Sequence, residues 1–177
     1  MDGIVSVNQF PFDTYSTEDW SAFLGQRGRC NDQDVLSGSP VKNSNGRREM
    51  VLVYNSSGGT LAPGNSLKFD TGYFGTRVVK CTTGVSIAGY VPPSINGSAS
   101  NTIPAGAYFW MVKEGFTSVL KSTADVTEGT QIKNSATAGQ VAVNSGTASY
   151  DVVAGTFIAG DTGGTSNLVR AYANCQW

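Results

Sequence analysis

Histidine is absent from this 177-residue chain. That absence removes Ser-His-Asp and Cys-His triads, His-ligated zinc and the usual proton carrier near neutral pH. Charge is scarce as well, at 14% Asp, Glu, Lys and Arg against about 25% in ordinary usage. Twelve basic against thirteen acidic residues leave a formal net charge of −1, which offers no field for gripping a phosphate backbone, so no direct nucleic-acid partner is expected. No apolar run approaches the roughly 20 residues of a membrane-spanning helix. The opening MDGIVSVNQF also lacks the basic start and apolar core of a secretory signal, so synthesis in the cytoplasm and no membrane partner are expected. Cys30, Cys81 and Cys175 are too widely and irregularly spaced for a disulfide ladder or a CxxC knuckle, and they read as reduced small apolar residues. With no phosphate loop and no strand-led G-x-G-x-x-G, neither a cofactor nor a metal is expected.

What the chain has instead is glycine, 22 residues of it, with abundant Ser, Thr and Asn. These residues favour turns and strands over helix. From Met50 onward short stretches rich in β-branched and aromatic residues follow one another: MVLVY (50–54), TRVVKC (76–81), VSIAGYV (85–91), AYFWMVK (107–113), FTSVLK (116–121), QVAV (140–143), YDVVAGTFIA (150–159) and LVRAYA (168–173). Turn residues lie between them, and no gap holds a convincing crossover helix. The expected fold is all-β, an antiparallel β-sandwich or small β-barrel of short strands over residues 50–177.

Residues 1–49 read as an N-terminal arm. In STEDWSAFLG, Ser16 is a candidate N-cap, Glu18 and Asp19 occupy the first turn, and Gly25 is a stop, which predicts a short helix over about 16–24 with Trp20, Phe23 and Leu24 on one face. So short a helix must dock to exist. The following GQRGRCNDQDVLSGSPVKNSNGRRE shows no periodicity and predicts a loop or extended arm.

Two patterns stand out in the β region. LAPGNSL (61–67), IPAGAYF (103–109) and VTEGTQI (126–132) each place an apolar residue three before a glycine and another three after it. They predict a repeated turn in which Gly64, Gly106 or Gly129 supplies a positive φ before the chain re-enters the sheet. The second pattern is IPAGAYFWMVKEG (103–115), where Tyr108, Phe109, Trp110, Met111 and Val112 follow one another without a polar break. A strand with one wet face would alternate, so both faces of this one must be covered.

Chemistry has few candidates. Asp-Thr-Gly occurs at 70–72 and 161–163 and resembles the aspartic-protease signature, which requires the two aspartates to share a proton. Its flanks differ from that pattern, with Tyr73 after the first motif and Gly160 before the second, so ordinary turns are the expectation and a protease the remote alternative. A carboxylate pair drawn from Glu114, Asp125, Glu128 and Asp151 would be a matter of spatial separation. Asn31, Asp32 and Asp34 could offer oxygens to calcium, but the glycine and terminal glutamate of an EF-hand loop are missing.

The order of features from about Met50 to Ala173 resembles the decoration, or cement, proteins of tailed-bacteriophage capsids. The residues that carry the likeness are GGTLAPGNSLKF (58–69), VSIAGYV, IPAGAYFWMVKEG, DVTEGTQIKNS with TAGQVAV, VVAGTFIAG and the closing LVRAYAN. The arm and the Cys-Gln-Trp tail depart from the pattern. The resemblance implies a protein without catalytic activity that binds the major capsid protein on the outer surface of the virion, often as a trimer, and stabilises the shell.

Under that reading the run Tyr108, Phe109, Trp110 and Met111 has one face in the core and the other against a sister subunit or the shell. The alternative is that both faces are internal. The arm's Phe10, Phe12, Tyr15, Trp20 and Phe23 likewise either anchor on the capsid or cover the β domain. A competing binding reading is a carbohydrate-recognising β-sandwich, with Tyr73, Tyr90 or Tyr150 stacking on sugar rings.

Overall fold

The computed structural model describes residues 11–31, 47–83, 85–123, 125–145 and 154–177. The chain is all-β. Its strands are β1 (Tyr15–Ser16), β2 (Arg27–Asn31), β3 (Arg47–Asn55), β4 (Ser66–Phe69), β5 (Arg77–Lys80), β6 (Gly89–Tyr90), β7 (Tyr108–Leu120), β8 (Ile132–Asn134), β9 (Val141–Val143), β10 (Gly155–Phe157) and β11 (Leu168–Asn174).

Five strands close on themselves in the order β7, β6, β4, β5, β3 and back to β7. All pair antiparallel except β3 with β5, which is parallel through Tyr54 and Asn55, so the sheet is mixed where a purely antiparallel one was expected. Closure leaves no open edge between these five strands, and the strand order ends at β10 and β2, which lie outside the ring. Beyond the ring, β11 pairs with the second half of β7 over seven residues and β10 pairs with β11. The separate hairpin β8–β9 approaches this layer through the bridges Gln131↔Thr156 and Lys121↔Val141.

The unbroken apolar run now has its explanation. β3 and β7 lie side by side with Met50 opposite Val112, Val51 opposite Met111, Leu52 opposite Trp110 and Val53 opposite Phe109. Side chains alternate across a strand, so Val51, Val53, Phe109 and Met111 enter the ring with Leu61, Leu67, Val78, Ile95 and Ile103. Met50, Leu52, Trp110 and Val112 enter a second core with Tyr90, Val119, Ile132, Phe157 and Val169. The two strands form a wall between two interiors, and each face of that wall is dry. Phe109, Trp110 and Met111 are at most 1% exposed, so the internal alternative is the one observed and an outward role for these three is corrected. Each such aromatic buries on the order of 150–250 Å².

Glycines fit where chains crowd or turn. A Cβ on Gly89 would stand 2.6 Å from the Val112 carbonyl oxygen, which explains a glycine where β6 meets β7. Gly64, Gly106 and Gly129 have φ of +73°, +78° and +84°. They occupy the third place of turns closed by Asn65 N–H to Ala62 O, Ala107 N–H to Pro104 O and Thr130 N–H to Thr127 O. Thr137–Gln140 repeats the device with Gly139 at +78°. In each turn the glycine N–H itself donates across to another segment, at Val91, Asn55, Phe157 or Cys81, so the turn is stitched into the sheet as well as closed on itself.

The N-terminal segment differs from its sequence reading. Instead of a helix over 16–24 there is a single 3-10 turn, Ser21–Phe23. Ser16 pairs as a strand residue with Tyr108, while its Oγ accepts from the Glu18 N–H and the Trp20 indole. Asp19 Oδ1 accepts from the Ser21 N–H. Each of these side chains accepts an N–H two residues on, as a cap or a turn does alike, and it is the strand pairing of Ser16 with Tyr108 that takes the place of a helix start. The stretch after Gly25, expected to be a loop or extended arm, contains the extended strand β2, and the expected boundary at 49/50 falls inside β3. Phe12 lies over Gly28 and reaches the Trp110 ring at 4.9 Å. Phe12, Trp20 and Phe23 pack against the second core and Tyr15 against the ring's, so these four cover the chain's own β domain. Phe10, Asp32 and Asp34 lie outside the described residues.

None of the three cysteines is in a disulfide. Burial pushes the Cys81 thiol up to about 11 and the Cys175 thiol higher still, so both are neutral and inert at pH 7.

Candidate interaction surface

The β4–β5 connection, Asp70-Thr71-Gly72-Tyr73-Phe74-Gly75-Thr76, is two consecutive tight turns. Tyr73 N–H bonds to Asp70 O and Thr76 N–H to Tyr73 O, with Gly72 at +81° and Gly75 at +80° supplying the third place of each. Asp70 anchors the base: Oδ2 accepts from Ser56 Oγ at 2.9 Å and Oδ1 from the Thr71 N–H. Between the two glycines the chain must turn outward, and it carries Tyr73 and Phe74 with it. Phe74 is 70% exposed and Tyr73 43%. Aromatic residues, Phe and Tyr among them, are enriched in the buried centres of protein interfaces.

The apex is braced from below. Phe74 lies 4.6 Å from Phe69 and 5.9 Å from Trp177, and Phe69 meets Trp177 edge-on at 4.8 Å. Trp177 is held in turn by its indole N–H donating to Ala88 O at 2.7 Å. The C-terminal tail, a departure from the resemblance, thus forms part of this surface. Cations surround it: Lys113 Nζ lies 5.0 Å from the Trp177 ring and the Arg27 guanidinium 5.8 Å, and both bond to Glu49 Oε1. Arg77 sits 4.0 Å over Tyr73 and 5.5 Å from Tyr54. Such contacts are each worth about 0.5–1 kcal/mol at exposed sites and fix ring orientation. Tyr54 meets Tyr108 at 5.1 Å, and the Tyr108 hydroxyl donates to Asp19 Oδ1 at 3.1 Å. Partial burial and that carboxylate push the Tyr108 hydroxyl upward, while the bonds from Ser21 and Tyr108 hold Asp19 low.

Of the residues singled out from sequence, Tyr108 alone in its run reaches this surface. Phe69, Phe74, Arg77 and Trp177 were missed. The signal for Phe74 was present as an apolar pair raised between two turn glycines.

The DTG motifs do not form a dyad. Asp70 is bonded to Ser56, whereas Asp161 is ion-paired at 2.7 Å with the buried Lys121 and accepts from the Gly163 N–H. These bonds hold the Asp161 carboxyl below its ordinary value, whereas a shared proton needs one carboxyl raised. Both motifs are turns. Glu114 lies on β7 and Glu128 in the turn 127–130, on separate elements; Asp151 lies outside the described residues. Among the sugar-stacking candidates, Tyr90 is fully buried with its hydroxyl donating to Ala154 O. One face of Tyr73 is occupied by Arg77, and Tyr150 lies outside the described residues.

No protein-family model matches this chain, and no curated protein matches it. It is similar to a solved structure described as the crystal structure of head fiber gp8.5 N base in bacteriophage phi29. The identity is 11% and the TM-score 0.48, over 70% of this chain and 92% of that one.

Proposed function

We propose that this chain is a non-enzymatic virion structural protein of the decoration type, which binds the outer surface of a tailed-phage capsid through the Tyr73–Phe74 apex and stabilises the shell. The observation that carries the reading is an aromatic pair held out by two glycine turns and braced by Phe69, Trp177 and Arg77, on a scaffold that covers both of its own cores. A rigid apolar apex with a polar, cationic rim suits burial on another protein surface. The ordered turn motifs of the β domain support the same family reading.

Co-sedimentation of the full chain with empty capsid shells of the phage that encodes it tests the proposal. Wild type should pellet with shells and raise their disruption temperature, and Phe74→Ser should weaken pelleting at least about tenfold, the loss of roughly 1.4 kcal/mol. Failure of the wild type to pellet would overturn it. The native mass, alone and on the shell, reports whether a trimer is the binding form.

A further inference from the structure

β2 ends the strand order, with β3 on one side. Which of its backbone groups face away follows from the ladder. Leu52 N–H donates to Gln26 O, and alternation along an antiparallel pair then makes Gly28 with Met50, and Cys30 with Arg48, the hydrogen-bonded positions. The N–H and C=O groups of Arg27 and Arg29 therefore point away from β3, and among the described residues no other segment receives them. Such an edge is a template for an added strand.

The surroundings set what that strand can be. Arg27 and Arg29 are both exposed, and they flank Gly28 in a hollow of about 240 Å³ that Glu49 completes. Arg27, Arg29 and Lys113 gather around Glu49, with Glu114 opposite Glu49 on β7. Three basic residues thus share the neighbourhood of the Glu49 carboxylate. Trp177 lies beside Arg27 and continues toward the Phe74 apex. Pairing β2 with the same strand of a second copy would set this cationic pair against itself, which is unfavourable.

We propose that the β2 edge accepts an extended acidic segment of the partner as an added strand, with its main chain on Arg27 and Arg29 and its carboxylates on their guanidinium groups. This deepens the decoration reading by giving the partner's contacting segment a chemistry, and rests on that reading only for which protein supplies it.

The probes are a peptide of about eight residues alternating Glu and Val, its Lys–Val counterpart, and the Glu–Val peptide N-methylated at alternate residues. Calorimetry and amide hydrogen exchange on the full chain are the readouts. The Glu peptide should bind and slow exchange at the Arg27 and Arg29 amides, while the Lys and N-methyl peptides should not. Arg29→Pro removes the guanidinium and the outward N–H together and leaves the Gly28 and Cys30 bonds to β3, whereas Arg29→Gln removes the guanidinium alone. Arg29→Pro should weaken the Glu peptide at least about tenfold, and Arg29→Gln, which keeps the N–H, should weaken it less. No binding, binding without amide protection, or equal affinity of wild type and Arg29→Pro would overturn the proposal. Capsid shells that bind wild type and Arg29→Pro equally would defeat the edge and leave the decoration reading standing. Shells that bind neither, beside a Glu peptide that binds, would do the reverse.

Discussion

The wall formed by β3 and β7 and the loop between β4 and β5 invert what their sequences suggest about exposure. Tyr108–Val112 is the densest apolar run in the chain, yet Phe109 to Val112 are among its most buried residues, because two interiors share one strand. Tyr73–Phe74 is a brief apolar pair in a polar, glycine-rich loop, and it is the most exposed aromatic surface described. Apolar density marks places where the chain covers itself on both sides. Isolated apolar residues between turn glycines mark places where it has been pushed out.

Substitutions in the two regions should therefore separate stability from binding. Trp110→Ala should lose about 3–5 kcal/mol of folding stability in denaturant titration, the cost of a large cavity in a dry core. A loss under 1 kcal/mol would mean that the wall is not shared. Lys121→Met comes next: it strips the Asp161 carboxylate and the Asp161 and Gly163 carbonyls of their cationic partner, and should lower the melting temperature by less than Trp110→Ala does. Phe74→Ser should change stability by no more than about 0.5 kcal/mol, as exposed positions do, while removing most shell binding.

The smallest effect is with acid. Because the Asp161 carboxyl lies below its ordinary value in the folded state, its contribution is full above the unfolded value and is lost as pH falls through the lower folded one. Urea titrations stepped downward from pH 5 should show that slope in wild type and a flatter one in Lys121→Met.

How much of this was legible depended on whether a residue's role was local. The positive-φ turns at Gly64, Gly106 and Gly129 could be read from spacing, because a turn's chemistry lies within four residues. The all-β class and the covered faces of β7 were legible from β-branched and aromatic runs. The helix at 16–24 was not, because Ser16 and Asp19 serve caps and turns equally well, and only their tertiary partners, β7 and Tyr108, decide which. β2 was hidden for another reason: its positions facing the core are Gly28 and Cys30, so the strand carries almost no apolar alternation. Phe74 gains its meaning from Trp177, which is distant in sequence and offers no local sign of the meeting.

The seven-residue pairing of β11 with β7 has a mechanical consequence when set beside the two-residue pairing of β1 with the other end of the same strand. Both run antiparallel to β7, so the chain reaches β1 from the direction of Trp110 and leaves β11 in the direction of Lys113. The two exits face each other along one edge of that strand, so tension drawing the ends apart turns each segment back and loads its ladder from the exit, one bond after another. The short clasp at Tyr15–Ser16 would open first, and β11, with more bonds to break in turn, would hold the two interiors closed after it had gone.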